Sequence, residues 1–156
     1  MNGIFITFEG TDASGKTTQI GLLSEYLEKK GVPHIVTREP GGTAIGEKVR
    51  TIILDKENSE MFPATEALLY AASRAQLTGQ VVRPALREGK VVISDRFLDS
   101  SIAYQGYGRN LGDMIRRINE PAVEGLKSDL TILLKTDPAA MRKRRDASLE
   151  DRMDSQ

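Results

Sequence analysis

Gly10-Thr11-Asp12-Ala13-Ser14-Gly15-Lys16-Thr17 has the form Gly-x-x-x-x-Gly-Lys-Ser/Thr of a phosphate-binding P-loop. Its flanks fit that reading. Ile4-Phe5-Ile6-Thr7-Phe8 is a short β-branched and aromatic run that predicts a buried strand. Residues Lys16 to Lys30 predict a helix, with Ile20, Leu23 and Leu27 on one face, and Gly31 and Pro33 follow as stop signals. Each residue type in the loop has a chemical reason. Gly10 and Gly15 let the backbone curl so that its N–H groups point at phosphate oxygens, and the helix N-terminus adds partial positive charge there. Lys16 reaches β- and γ-phosphates as a point charge, and the Thr17 hydroxyl is placed to ligate Mg²⁺. A glycine turn preceding a helix by chance is the alternative, and the order strand, loop, helix weighs against it.

Composition narrows the classes. A length of 156 residues predicts a single domain, residues 1–156. Lys plus Arg and Asp plus Glu both total 22, so there is no basic excess of the kind that general nucleic-acid or anionic-membrane binders carry. The absence of cysteine excludes disulfides, thiolate metal sites and a Cys nucleophile. No apolar run is long enough to span a bilayer, and the N-terminus lacks the basic start of a signal peptide. The expected location is cytoplasmic.

Beyond the first helix, His34 to Thr37 predicts a second strand, ending in the loop Arg38-Glu39-Pro40-Gly41-Gly42-Thr43, where Thr43 is placed to cap the next helix. That helix carries Ile45, Val49, Ile52 and Ile53 and stops near Asp55. A longer helical pattern runs from about Ala64 to Arg87, with a break expected at Pro84. Val91 to Ser94 is a third buried strand leading into Asp95-Arg96-Phe97. A short helical stretch then meets glycines 106 and 108, read as a loop or helix end. Leu111 to Gly125 is helical, and Leu130 to Leu134 is a fourth strand. Asp137-Pro138 opens a last helix, and the remainder is charged. Strands alternating with helices predict an α/β fold with a mostly parallel central sheet flanked by helices on both faces. Ligands in such folds lie at the carboxyl ends of the strands.

Three strand ends carry candidate chemistry. Asp95 can hold Mg²⁺ in the manner of a Walker-B acid, and Arg96 can clamp a phosphate; a plain ion pair at a strand end is the weaker alternative beside a P-loop. Arg38-Glu39 alone is weak, though its glycine-rich loop is unlike ordinary surface. Tyr70 and Arg74 share a helix face at i and i+4. They read either as a cation–π contact on a solvated face or as an aromatic platform plus donor for a base. His34 reads as structural. The basic run Arg142 to Arg145 and the pair Asp151-Arg152 read as a solvated face or, in a phosphoryl-transfer enzyme, as mobile positive charge.

Phe8-Glu9-Gly10-x-Asp12-x-x-Gly15-Lys16-Thr17-Thr18, Thr37-Arg38-Glu39-Pro40-Gly41-Gly42-Thr43, Ala71-Ala72-x-Arg74 and Asp95-Arg96-Phe97-x-x-Ser100-Ser101-x-Ala103-Tyr104-Gln105-Gly106 together resemble the bacterial thymidylate kinases, a P-loop nucleoside monophosphate kinase family. The resemblance implies a P-loop NTPase fold, transfer of the γ-phosphate of ATP to dTMP with Mg²⁺, and a homodimer. By position, it implies that Gly10, Thr11, Asp12, Ala13, Ser14, Gly15, Lys16, Thr17 and Thr18 hold ATP, with Lys16 at its phosphates. Asp12 would contact the dTMP sugar, and Arg38, Arg96 and Arg50 its phosphate. Tyr70 would stack on thymine and Arg74 donate to a thymine carbonyl. Ser101 and Gln105 would lie near the base and Tyr104 near the sugar. Thr17, Glu39 and Asp95 would form the magnesium shell. The loop carries no arginine, so the resemblance points to an arginine of the lid, Arg145 or Arg152. Members of the family continue beyond this point, so the resemblance further implies a chain that ends inside the lid, which starts near residue 140, with its C-terminal part missing. A different P-loop nucleotide kinase, or a truncated non-catalytic nucleotide-binding fragment, is the competing reading. A regulatory GTPase is disfavoured, since the chain has no Asn-Lys-x-Asp motif.

Overall fold

A computed structural model describes residues 3–137 of the chain. Four strands, β1 (Ile4–Gly10), β2 (His34–Arg38), β3 (Val91–Asp95) and β4 (Leu130–Leu134), form a wholly parallel sheet in the order β2-β3-β1-β4. The register aligns Phe8 and Arg38 with Asp95, and Gly10 with Leu134, so the carboxyl ends of all four strands lie level. The strand spans expected from β-branched runs are met, with β1, β2 and β3 extended slightly at their carboxyl ends.

Period-two alternation splits the core into two layers. Phe5 and Val92 face one side, where they pack with Leu77, Val82, Ala85, Phe97 and Val123; Phe5 and Phe97 meet edge to face at 5.0 Å. Phe8, Val91 and Ile93 face the other, against Ile20 of α1 (Lys16–Lys29) with Leu23 and Leu27 beside it. The helix following β1 therefore covers one face, and α3 (Pro63–Leu77), α4 (Arg83–Arg87) and α6 (Met114–Val123) cover the other. Consecutive connections that leave on opposite faces open a crevice at the carboxyl ends of β1 and β3.

The helix expected to run unbroken to Pro84 opens earlier. A widened, π-helical turn occupies Thr78–Val82, and the Arg83 N–H bonds the Thr78 carbonyl five residues back. Pro84 has no N–H, and its ring crowds the carbonyl of Gln80, four residues before it. Widening the preceding turn relieves that conflict while Leu77, Val82 and Ala85 stay buried. Of the two readings of the Gly106 and Gly108 stretch, loop or helix end, the structure shows the helix end. After α5 (Leu98–Ser101) the chain continues as a π-helical segment, Ile102–Gly108. Thr43 caps α2 (Ala44–Leu54) as its side chain suggests, accepting the Gly46 N–H at 2.9 Å. His34 is structural: its Nδ1–H donates to the Val32 carbonyl at 3.0 Å, which leaves Nε2 to accept from Ser24 Oγ at 2.8 Å.

Candidate functional site

The loop between β1 and α1 takes the backbone shape its glycines allow. Gly10 (φ 146), Ala13 (φ 57) and Gly15 (φ 95) are all at positive φ. A Cβ on Gly10 would lie 2.6 Å from the Leu134 carbonyl, so the close approach of β4 also demands glycine there. Alternating backbone hand of this kind makes a concavity of N–H groups. Lys16 is buried at the start of α1, with its ammonium donating to the carbonyls of Gly10 and Thr11 at 3.1 and 2.9 Å. Burial lowers its pKa and Arg96 lowers it further, while Asp95, Asp12 and Glu9 oppose them. A cation held this way gains most from an incoming anion. Ser14 Oγ is buried with no protein partner, and Thr17 and Thr18 line the same cleft.

Arg96 follows the end of β3 with φ 70, a conformation that costs any residue with a Cβ energy and that the surrounding contacts enforce. Its N–H binds the Phe8 carbonyl at 2.9 Å, and Ser94 Oγ donates to its carbonyl at 2.8 Å. The guanidinium donates to Asp12 at 2.8 Å and to Ser100 Oγ at 3.0 Å, with the Tyr104 ring 5.3 Å away. Burial opposes its charge, but Asp12 foremost outweighs that and raises the pKa. Asp95 is thus not the partner of Arg96, and its Oδ1 is buried without a hydrogen bond. Burial raises its pKa against the pull of Lys16 and Arg96. Among the described residues no group of three His, Cys, Asp or Glu side chains converges to hold a metal. Mg²⁺ needs none when phosphates and water fill most of its octahedron. An orphaned Asp95 oxygen facing a phosphate loop fits that requirement.

Glu9, which the sequence reading left without a role, underlies this corner. Its carboxylate is buried, accepts the Phe97 N–H at 2.8 Å and the Ser100 hydroxyl, and thereby holds both neighbours of Arg96. Burial raises its pKa, opposed by those hydrogen bonds. An acidic residue two positions from Thr7 on the Phe5 face of a buried strand was the available signal.

The second cleft lies beside the first. Arg74 is 1% exposed and donates to Glu39 (2.7 Å), Asn119, the Phe97 carbonyl (3.2 Å) and Ser101 (2.9 Å), with its guanidinium 5.6 Å from the Phe97 ring. Arg74 thus does not lie on a solvated face, and it lines the cleft together with Tyr70. Glu39 is buried, and desolvation pushes its pKa up to about 7 despite Arg74. One of its oxygens, Oε1, has no partner. Ser101, Tyr104 and Gln105 complete the wall. Gln105 Nε2 donates to the buried Glu66 at 2.9 Å, and Arg109 reaches the same carboxylate at 3.3 Å.

Arg38 is drawn away from Arg96 and pairs with Glu47 at 2.9 Å, half exposed at the edge of the phosphate-loop cleft. Glu47 also accepts the Gly42 N–H at 2.8 Å, so one carboxylate ties the glycine loop to α2. Arg50 donates to the Pro40 carbonyl at 3.0 Å. Both clefts share Asp12, Glu39, Arg50 and Arg96. Arg145 and Arg152 lie outside the described residues.

Comparison with known proteins agrees with this geometry. The family model for thymidylate kinase matches residues 8–156. A thymidylate kinase from Pelotomaculum thermopropionicum is 57% identical over 138 residues, covering 88% of this chain and 64% of its own length. One from Caldanaerobacter subterraneus subsp. tengcongensis is 52% identical over 157 residues, covering 100% of this chain and 75% of its own. The chain thus spans between 64% and 75% of the length of these relatives. The crystal structure of thymidylate kinase from Ehrlichia chaffeensis superposes with a TM-score of 0.81 at 39% identity, covering 92% of this chain and 82% of that one. With the sheet order, the phosphate loop and the two adjoining clefts in place, the chain belongs to the thymidylate kinase family.

Proposed function

We propose that this chain transfers the γ-phosphate of ATP to the phosphate of dTMP, giving ADP and dTDP. The observation that carries the reading is the junction of the two clefts: Arg96 and Asp12 belong to both, one cleft opening on the phosphate loop and the other on Tyr70, Arg74 and Gln105. The residues Gly10 to Thr18 receive the donor phosphates, with Lys16 leaving the Gly10 and Thr11 carbonyls for the β- and γ-oxygens. Tyr70 stacks on the thymine, Arg74 donates to one of its carbonyls, and Ser101 and Gln105 face its edge. Tyr104 packs near the sugar and Asp12 contacts it. Arg96, Arg50 and a reoriented Arg38 hold the acceptor phosphate. One of its oxygens forms the new bond to the γ-phosphorus as the bond to the β–γ bridging oxygen breaks, and ADP carries off the electron pair. Thr17 and Asp95, with Glu39 close by, would hold Mg²⁺, and the ion would supply positive charge against the donor phosphate oxygens. Two polyanions must meet end to end, so positioning and cationic charge supply most of the rate. The lid arginine, Arg145 or Arg152, adds to that charge. The same reading carries a cytoplasmic homodimer, without nucleic acid or membrane as partners.

A side-by-side assay with dTMP, dUMP, CMP and AMP as acceptors tests it. The expected result is the highest kcat/KM with dTMP. Preference for AMP over dTMP would remove the thymidylate reading and leave another nucleotide kinase.

A further inference from the structure

We propose that Glu66 determines base specificity without touching the base, by fixing which end of the Gln105 amide faces the cleft; this rests on the reading of that cleft as a pyrimidine site. Glu66 lies in the first turn of α3, is 1% exposed, and meets Gln105 Nε2 at 2.9 Å. A carboxylate only accepts hydrogen bonds. The amide end turned to Glu66 must therefore be the NH₂, and the end left for the cleft is the carbonyl oxygen. Arg109 bridges the same side chain with Nε and Nη2, both at 3.3 Å, which holds it against Gln105. The helix N-terminus of α3 favours the same charge.

Arg74, which lines the same cleft, has five N–H donors and commits four hydrogen bonds to protein. The remaining donor belongs to Nη1. In this proposal the cleft offers the remaining donor of Arg74 and the acceptor end of Gln105. A pyrimidine with a 4-oxo group beside an N3–H matches both. Cytosine presents a 4-amino donor and an N3 acceptor, and mismatches both. A buried polar mismatch discriminates far better than a difference in size. Without Glu66 the amide would turn over and offer its NH₂ to N3 of cytosine.

The test is calorimetric binding of dTMP, dUMP and dCMP to the chain and to Glu66→Gln, with the thermal midpoint recorded alongside. A glutamine at 66 both donates and accepts, so it no longer dictates the orientation of Gln105. The expected result is a dCMP-to-dTMP ratio of Kd values that falls by about tenfold or more in Glu66→Gln, with dUMP following dTMP. A folded Glu66→Gln variant whose ratio equals the parent's overturns the proposal. If that variant does not fold, Arg109→Gln, at a site partly open to solvent, replaces it; the ratio should fall in the same direction, and an unchanged ratio overturns the proposal equally. A parent chain that binds none of the three pyrimidines instead refutes the reading of the cleft itself.

Discussion

Among single residues, Glu39 shows how burial and chemistry oppose each other. Its side chain sits against Arg74 in a dry corner, and its pKa is raised to about 7 by burial. In the unfolded chain it ionises near the ordinary carboxylate value. Between these two values the folded state holds a proton that the unfolded state has released. The stabilising effect of that proton is full below the unfolded pKa and is lost as pH rises through about 7. Glu9 and Asp95 are shifted in the same direction by burial and add to the trend. The ligand-free chain should therefore be less stable at pH 8 than at pH 5.5 by denaturant unfolding. Glu39→Gln, a neutral mimic of the protonated side chain, should flatten that slope. A wild-type profile that rises with pH would contradict the burial argument.

At the scale of elements, the end of β3 and the start of α5 behave as one piece, and Glu9 of β1 ties them together. Phe97 N–H and the Ser100 hydroxyl both end on its carboxylate, and Arg96 is suspended between them at φ 70. Glu9→Ala leaves the buried Phe97 N–H and the partly buried Ser100 hydroxyl without acceptors, at a cost of about 2–4 kcal/mol. Arg96 then loses its fixed direction. Kinetics should show KM for dTMP raised about tenfold or more, with KM for ATP changed far less; equal effects on both substrates would mean that Glu9 serves only stability. These elements also show what a sequence discloses. Strand runs and the P-loop were legible because period-two burial and glycine geometry are local. The early break at Thr78 was not, since Pro84 announces a conflict but not the turn that absorbs it. Nor were Glu9, Glu66 and Asn119, whose roles arise from partners 39 or more residues away. Arg74 was legible as a site residue from family resemblance, but its burial among four acceptors was not.

For the whole molecule, the apolar surface left on α2 and α3 bears on assembly. Of the isoleucines that α2 carries, Ile53 faces the core at 0% exposure. Ile45 and Ile52 do not: they are 55% and 47% exposed, seven residues apart and so on one face of α2. Leu68 of α3 is 52% exposed and Phe62, just before that helix, 76%. α2 and α3 pack directly on each other, so these side chains belong to neighbouring elements. Exposed apolar side chains on two packed helices suit an interface with a second copy better than they suit water. The homodimer we propose places this surface about its two-fold axis. In an isologous interface each substitution acts twice, once from each copy. Leu68→Glu would set two buried charges into the contact without touching either cleft. Sedimentation equilibrium should then show a dimer for the parent chain and a monomer for the variant at micromolar concentration, with dTMP binding by the variant retained. If the variant stays dimeric, the α2–α3 surface is not the interface. If the parent is monomeric at that concentration, the dimer itself is excluded, and the exposed isoleucines of α2 must be covered by something other than a second copy.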